Sequence, residues 1–81
     1  MDDREILQRI HDLVAQERSV RADEGRPDAD READHQELQR IEQTLDQCWD
    51  LLRQRRARRE FGEDADGAEV RPEGVVEGYQ Q

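Results

Sequence analysis

The sequence predicts an all-α protein: a two-helix antiparallel hairpin of coiled-coil character, followed by an irregular acidic tail. Three observations carry that expectation. Apolar residues recur at steps of three and four in two separate stretches, Gly25-Arg26-Pro27 lies between the stretches, and no further Gly or Pro interrupts the chain until Gly62. Composition alone points elsewhere. Leu, Ile, Val and Phe total only 15 of 81 residues and 43% of the chain is charged, a balance usual for disordered segments. It is therefore the spacing of the apolar residues, and not their number, that specifies helices.

The first helix is expected over about residues 2–23. Its apolar residues Ile6, Leu7, Ile10, Leu13, Val14 and Val20 follow a heptad-type seam through positions 6, 10, 13, 17 and 20, interrupted at Glu17. Asp2 or Asp3 can cap its start, and Glu5 places negative charge at the positive end of the helix dipole. A turn follows at 24–28, where Gly25 tolerates left-handed geometry and Pro27 cannot continue a helix. The second helix is expected over about 29–61, capped by Asp28 or Asp30. Its seam runs Leu38, Ile41, Leu45, Cys48 and Leu52, flanked by Trp49 and Leu51. These elements make one hairpin unit, residues 1–61, and the Gly-containing acidic tail spans 62–81.

A short turn makes the two helices antiparallel neighbours. Closing it about residues 25–26 sets Leu13 near Leu38, Ile10 near Ile41 and Ile6 near Leu45, with Glu17 beside Asp34 and His35 and Arg31 a turn away. In that register the first helix ends before Cys48, Trp49, Leu51 and Leu52 find partners. Two remedies present themselves: a second copy, giving a dimeric four-helix assembly, or a tail folded back so that Val70, Val75, Val76 and Tyr79 cover Trp49 and Leu52. The dimer is the expectation, with tail docking as a possible addition.

Charge is unevenly distributed. Residues 1–52 carry a net −8, residues 53–59 a net +5 and residues 60–81 a net −6, for −9 in total, and all 13 basic residues are Arg. The cationic band is Arg53, Arg55, Arg56, Arg58 and Arg59. Arg offers phosphate a planar fork, which gives a nucleic-acid or RNA-polymerase-associated regulator as the alternative reading. Yet no aromatic is interleaved, the flanking acids repel a polyanion, and cations at a helix C-terminus suit the dipole while Glu60, Glu63, Asp64 and Asp66 neutralise them. A protein partner with an acidic face fits better.

Catalysis finds little support. Cys48, His11 and His35 are the residue types suited to soft-metal or nucleophilic work, but the expected register keeps them apart, with His11 near Arg40 and His35 near Gln16. No metalloprotease, paired-cysteine or phosphate-loop spacing occurs, and no cofactor, metal or catalytic residue is expected. The acidic tip of Asp23, Glu24, Asp28 and Asp30 could in principle hold a cation, but acidic turns are ordinarily solvated caps. No long apolar run and no leader pattern is present and the single Cys48 forms no internal disulfide, so a cytoplasmic location is expected.

The stretches ILQRIHDLVAQE (6–17), LDQCWDLLRQRRARRE (45–60) and VRPEGVVEGYQQ (70–81) are long and unusual in composition. Through them the chain resembles the short bacterial proteins catalogued as domain of unknown function 2630, over nearly its full length. That family has no assigned activity or ligand, so the resemblance implies no chemistry. It implies that the second helix, the Arg band and the tail belong together in one small protein; the turn segment from Arg21 to Asp34 matches no motif of it. The expected role is a small interaction or regulatory module acting through protein–protein contacts, as a homodimer with a further protein partner and no membrane. Trp49, Leu51 and Leu52 are the expected apolar anchors, and Arg53, Arg55, Arg56 and Arg59 the electrostatic ones.

Overall fold

In the computed structural model the chain forms α1 (Asp3–Glu24), α2 (Arg31–Glu60), a single 3-10 turn at Ala65–Gly67 and α3 (Glu73–Tyr79). The structure describes residues 1–24, 26 and 30–79, leaving aside the side chains of Glu24, Glu77 and Tyr79. Gly25, Pro27 and Asp28 of the expected turn, and the side chain of Tyr79 as a docking residue, lie outside the described residues. Among those described there is no strand, and α1 packs against α2 as the two apolar seams require.

Each helix end has a local cause. Asp2 Oδ1 accepts from Glu5 N at 2.8 Å while Glu5 Oε1 accepts from Asp2 N at 3.5 Å, a reciprocal capping box that opens α1. Asp30, rather than Asp28, caps α2, its Oδ1 accepting from Ala33 N at 3.1 Å. At the far end Glu63 N donates to Arg58 O at 2.8 Å and Gly62 N to Arg59 O at 3.2 Å, the two bonds of a Schellman motif. That motif needs a left-handed residue, which Gly62 supplies at φ +74°.

The core cluster joins Ile6, Ile10 and Leu13 of α1 to Ile41, Cys48 and Leu51 of α2, with Val14, Val20, Leu45, Leu52 and the tail's Ala68 packed on it. This corrects the expected register. The ion pairs Asp3–Arg55, Asp3–Arg59 and Arg21–Glu42 join positions whose numbers total 58, 62 and 63, where the expected closure totalled about 51. The helices have slipped by at least one heptad. Both registers bring seam against seam, because a heptad pattern maps onto itself when shifted by seven residues. The slipped one also buries Cys48 and Leu51, which the other leaves uncovered. Glu17 accordingly pairs within its own helix, with Arg21 at 3.7 Å, and not with the α2 residues expected beside it.

The tail is more ordered than an irregular segment. It reverses at Gly62 and runs back along α2, where its 3-10 turn and α3 both pack. Gln54 Nε2 donates to Glu69 O at 2.8 Å and Gln47 Nε2 to Arg71 O at 3.3 Å, and Val76 is fully buried. Gln47, Asp50 and Gln54 recur at three and four residues, so the tail occupies one stripe of α2. That stripe is not the Trp49 face: Trp49 stays 46% exposed and Val75 48% exposed. The expectation that the tail covers Trp49 is thus corrected for the described residues.

Candidate functional site

The antiparallel packing brings the negative first turn of α1 to the cationic last turns of α2, and this juncture organises the Arg band. Asp3 Oδ1 accepts from Arg55 Nε and its Oδ2 from Arg59 Nη2, each at 2.6 Å. Two guanidinium groups on one carboxylate hold the Asp3 pKa down, to about 2 from 3.8. Arg55, only 6% exposed, also donates through Nη1 to Ala65 O at 3.2 Å and to Asp66 Oδ1 at 3.0 Å. Arg58 reaches Glu63 at 3.3 Å and lies against Gly67, where no side chain intervenes. Arg55 and Arg58 therefore hold the tail's first turn in place.

Arg53 and Arg56 remain. Both are exposed, and neither forms an ion pair among the described residues. With Asp3, Leu7, Trp49, Leu52 and Arg59 they line a groove of about 290 Å³ between the start of α1 and the end of α2. Leu7 is 50% exposed. The groove thus joins the apolar Leu7, Trp49 and Leu52 to three Arg and the Asp3 carboxylate.

Five of the seven expected contact residues come together in this groove: Trp49, Leu52, Arg53, Arg56 and Arg59. The other two are placed elsewhere. Leu51 belongs to the core and Arg55 is a buried clamp between Asp3 and the tail, so neither is presented at the surface. Leu7 was missed as a site residue; its signal was its place beside the α1 seam, next to Ile6.

A second centre was also missed. Asp50 is buried at 1% exposure, accepting from Arg71 Nε at 2.9 Å, from Arg71 Nη2 and from Gln54 Nε2 at 2.9 Å. The Arg71 guanidinium holds the Asp50 carboxyl below its ordinary value against the opposing effect of burial. The available signal was that Arg71 is the one cation among seven acids in residues 60–81.

Cys48 borders an apolar hollow of about 290 Å³ with Met1, Arg9, Thr44, Gln47, Leu51 and Val70. Burial pushes the thiol pKa up, with Arg9 drawing it the other way, and neither a His nor a carboxylate lines the hollow to act as base. Among the described residues no group of three or more His, Cys, Asp or Glu side chains is placed to hold a metal ion. At the tip Asp23 pairs with Arg26 at 3.6 Å and Asp30 is the helix cap. No helix of the described residues is long and apolar enough to cross a membrane.

Residues 2–81 match the family described as "Protein of unknown function (DUF2630)". An uncharacterized protein of Mycobacterium bovis is 52% identical over 77 residues, covering 95% of this chain and 88% of the relative. An uncharacterized protein of Mycobacterium tuberculosis gives the same identity and coverage. No solved structure matches the chain.

Proposed function

The chain belongs to the family of proteins of unknown function (DUF2630), whose description names no activity, and we propose that it is a small interaction module acting through protein–protein contacts and carrying no catalysis of its own. The observation that supports this reading is the groove that joins Leu7, Trp49 and Leu52 to Arg53, Arg56 and Arg59. Trp and Arg are the residue types enriched at interface hot spots, and Leu7 and Leu52 extend the apolar surface beside them. The occupant that fits is a helical segment bearing apolar anchors and carboxylates, and the setting is the cytoplasm. The nucleic-acid alternative has less support, since Arg55, Arg58 and Arg59 are already engaged by Asp3, Glu63 and Asp66.

Affinity capture with the full chain as bait tests the reading, comparing wild type with Trp49→Ala and with Arg53→Gln/Arg56→Gln, each checked for retained helicity. A protein, whether a further copy of the chain or another, that binds wild type and is lost with both variants is the expected result. Capture that is unchanged in both overturns it. Retention of short DNA or RNA at low salt, abolished by the Arg53→Gln/Arg56→Gln chain, would favour the alternative.

A further inference from the structure

We propose that the occupant of the groove is α2 of a second copy, packed antiparallel across a two-fold axis at Trp49. The inference rests on the interaction-module reading and names its partner.

The charge order of α2 is the first reason. Residues 31–50 carry a net −4 and residues 53–59 a net +5, with Trp49 near the change of sign. A helix charged in this way is complementary to its own antiparallel copy, whereas parallel pairing sets the Arg band against itself. The second reason is register. Antiparallel helices centred on Trp49 face each other at positions whose numbers total 98. Glu42 then meets the copy's Arg56, Leu45 meets Arg53, and Asp46, one residue further along, lies beside Arg53. Glu42, Trp49, Arg53 and Arg56 are all exposed, and all fall on one stripe of α2 at steps of seven, four and three. Neither Arg53 nor Arg56 forms an ion pair among the described residues, although Arg53 also acts on the Asp50 carboxylate from a distance, so Arg56 is the cation that the pairing newly engages. Glu42 already accepts from Arg21 at 3.3 Å through Oε1, in a pair whose side chains are both 54% exposed, which leaves Oε2 for Arg56.

The third reason is what the tail leaves open. Its described residues lie along Gln47, Asp50 and Gln54, and Trp49 stays 46% exposed. The described residues of the hairpin and tail thus leave that face of α2 without a full covering layer. A two-fold interface is self-complementary by construction, and two copies yield a four-helix assembly.

Sedimentation of the full chain from about 1 to about 300 μM, the span over which a modest interface assembles, tests the proposal. Wild type is expected to dimerise. Trp49→Ala and Arg56→Glu are each expected to weaken dimerisation by at least about tenfold, with helicity unchanged. In Arg56→Glu two carboxylates face each other twice per dimer, and the double variant Glu42→Arg/Arg56→Glu restores opposite charges and is expected to recover the dimer. A wild type that stays monomeric across the range overturns the proposal, as does a dimer indifferent to both single variants or a double variant that fails to recover. The underlying reading has its own separate readout: a monomeric wild type that still captures another protein, lost in Trp49→Ala, leaves the groove an interaction site while removing the second copy as its occupant.

Discussion

Asp50 is the residue whose surroundings decide most about the tail. A carboxylate at 1% exposure is tolerable only because Arg71 and Gln54 occupy its acceptor sites. If Arg71→Gln removes the cation, the tail can lift and let water reach Asp50, so the loss is limited to the free energy of tail docking and does not approach the several kcal/mol of a permanently buried orphan charge. Arg71→Gln and Asp50→Asn are both expected to loosen residues 69–79 while the hairpin melts nearly as before. Amide hydrogen exchange checks this: protection at Val76 falls by about tenfold or more in either variant, and protection at Ile10 and Ile41 is retained. Equal loss at all three sites would show instead that the tail and hairpin unfold as one unit.

The ends of α2 set the scale of the elements. Gly62 adopts φ +74° with open space where a Cβ would stand, so substitution there strains the backbone and nothing else. Gly62→Ala is expected to lower stability by about 1 kcal/mol, and Gly62→Asn by less, since Asn tolerates the left-handed region better. Urea denaturation of the three chains gives the comparison, and an Ala chain as stable as wild type contradicts the assignment of Gly62 as the obligatory left-handed residue. The consequence reaches beyond the helix end. The reversal at Gly62 sends the tail back along the Gln47, Asp50 and Gln54 stripe instead of onward, and so leaves Trp49 open.

For the whole molecule the acid response follows from two carboxylates. Asp3 has its pKa lowered to about 2 from 3.8 by Arg59 and Arg55, and Asp50 is lowered by Arg71. A group held below its unfolded value binds fewer protons when folded, so its contribution is complete above the unfolded pKa and is lost as pH falls through the folded one. Stability is therefore expected to decline between about pH 4 and pH 2 as Asp3 is protonated and the α1–α2 juncture loosens, and Asp50 acts in the same direction. Urea midpoints measured at pH 5, 4, 3 and 2 check the direction, and Asp3→Asn is expected to flatten the slope. A midpoint that rises on acidification contradicts the assignment of both ion pairs.

The fold class, the existence of both long helices and the end of α2 at Phe61–Gly62 were legible in the spacing of Ile6, Ile10, Leu13, Leu38, Ile41, Leu45 and Cys48 and in the placing of Gly and Pro. Trp49, Leu52, Arg53, Arg56 and Arg59 stand three and four residues apart and so share a helix face, but the expected contact set also held Leu51 and Arg55 and did not single out that face. Three things were settled only by tertiary structure: the slip in register, the burial of Leu51 and Arg55, and the stripe of α2 that the tail takes. The reason is common to all three. A heptad seam is periodic, so sequence spacing states that two helices pair but is nearly blind to a shift of seven residues. The tie is broken by contacts between distant positions, Asp3 with Arg55 and Arg59 and Asp50 with Arg71, which no local pattern records.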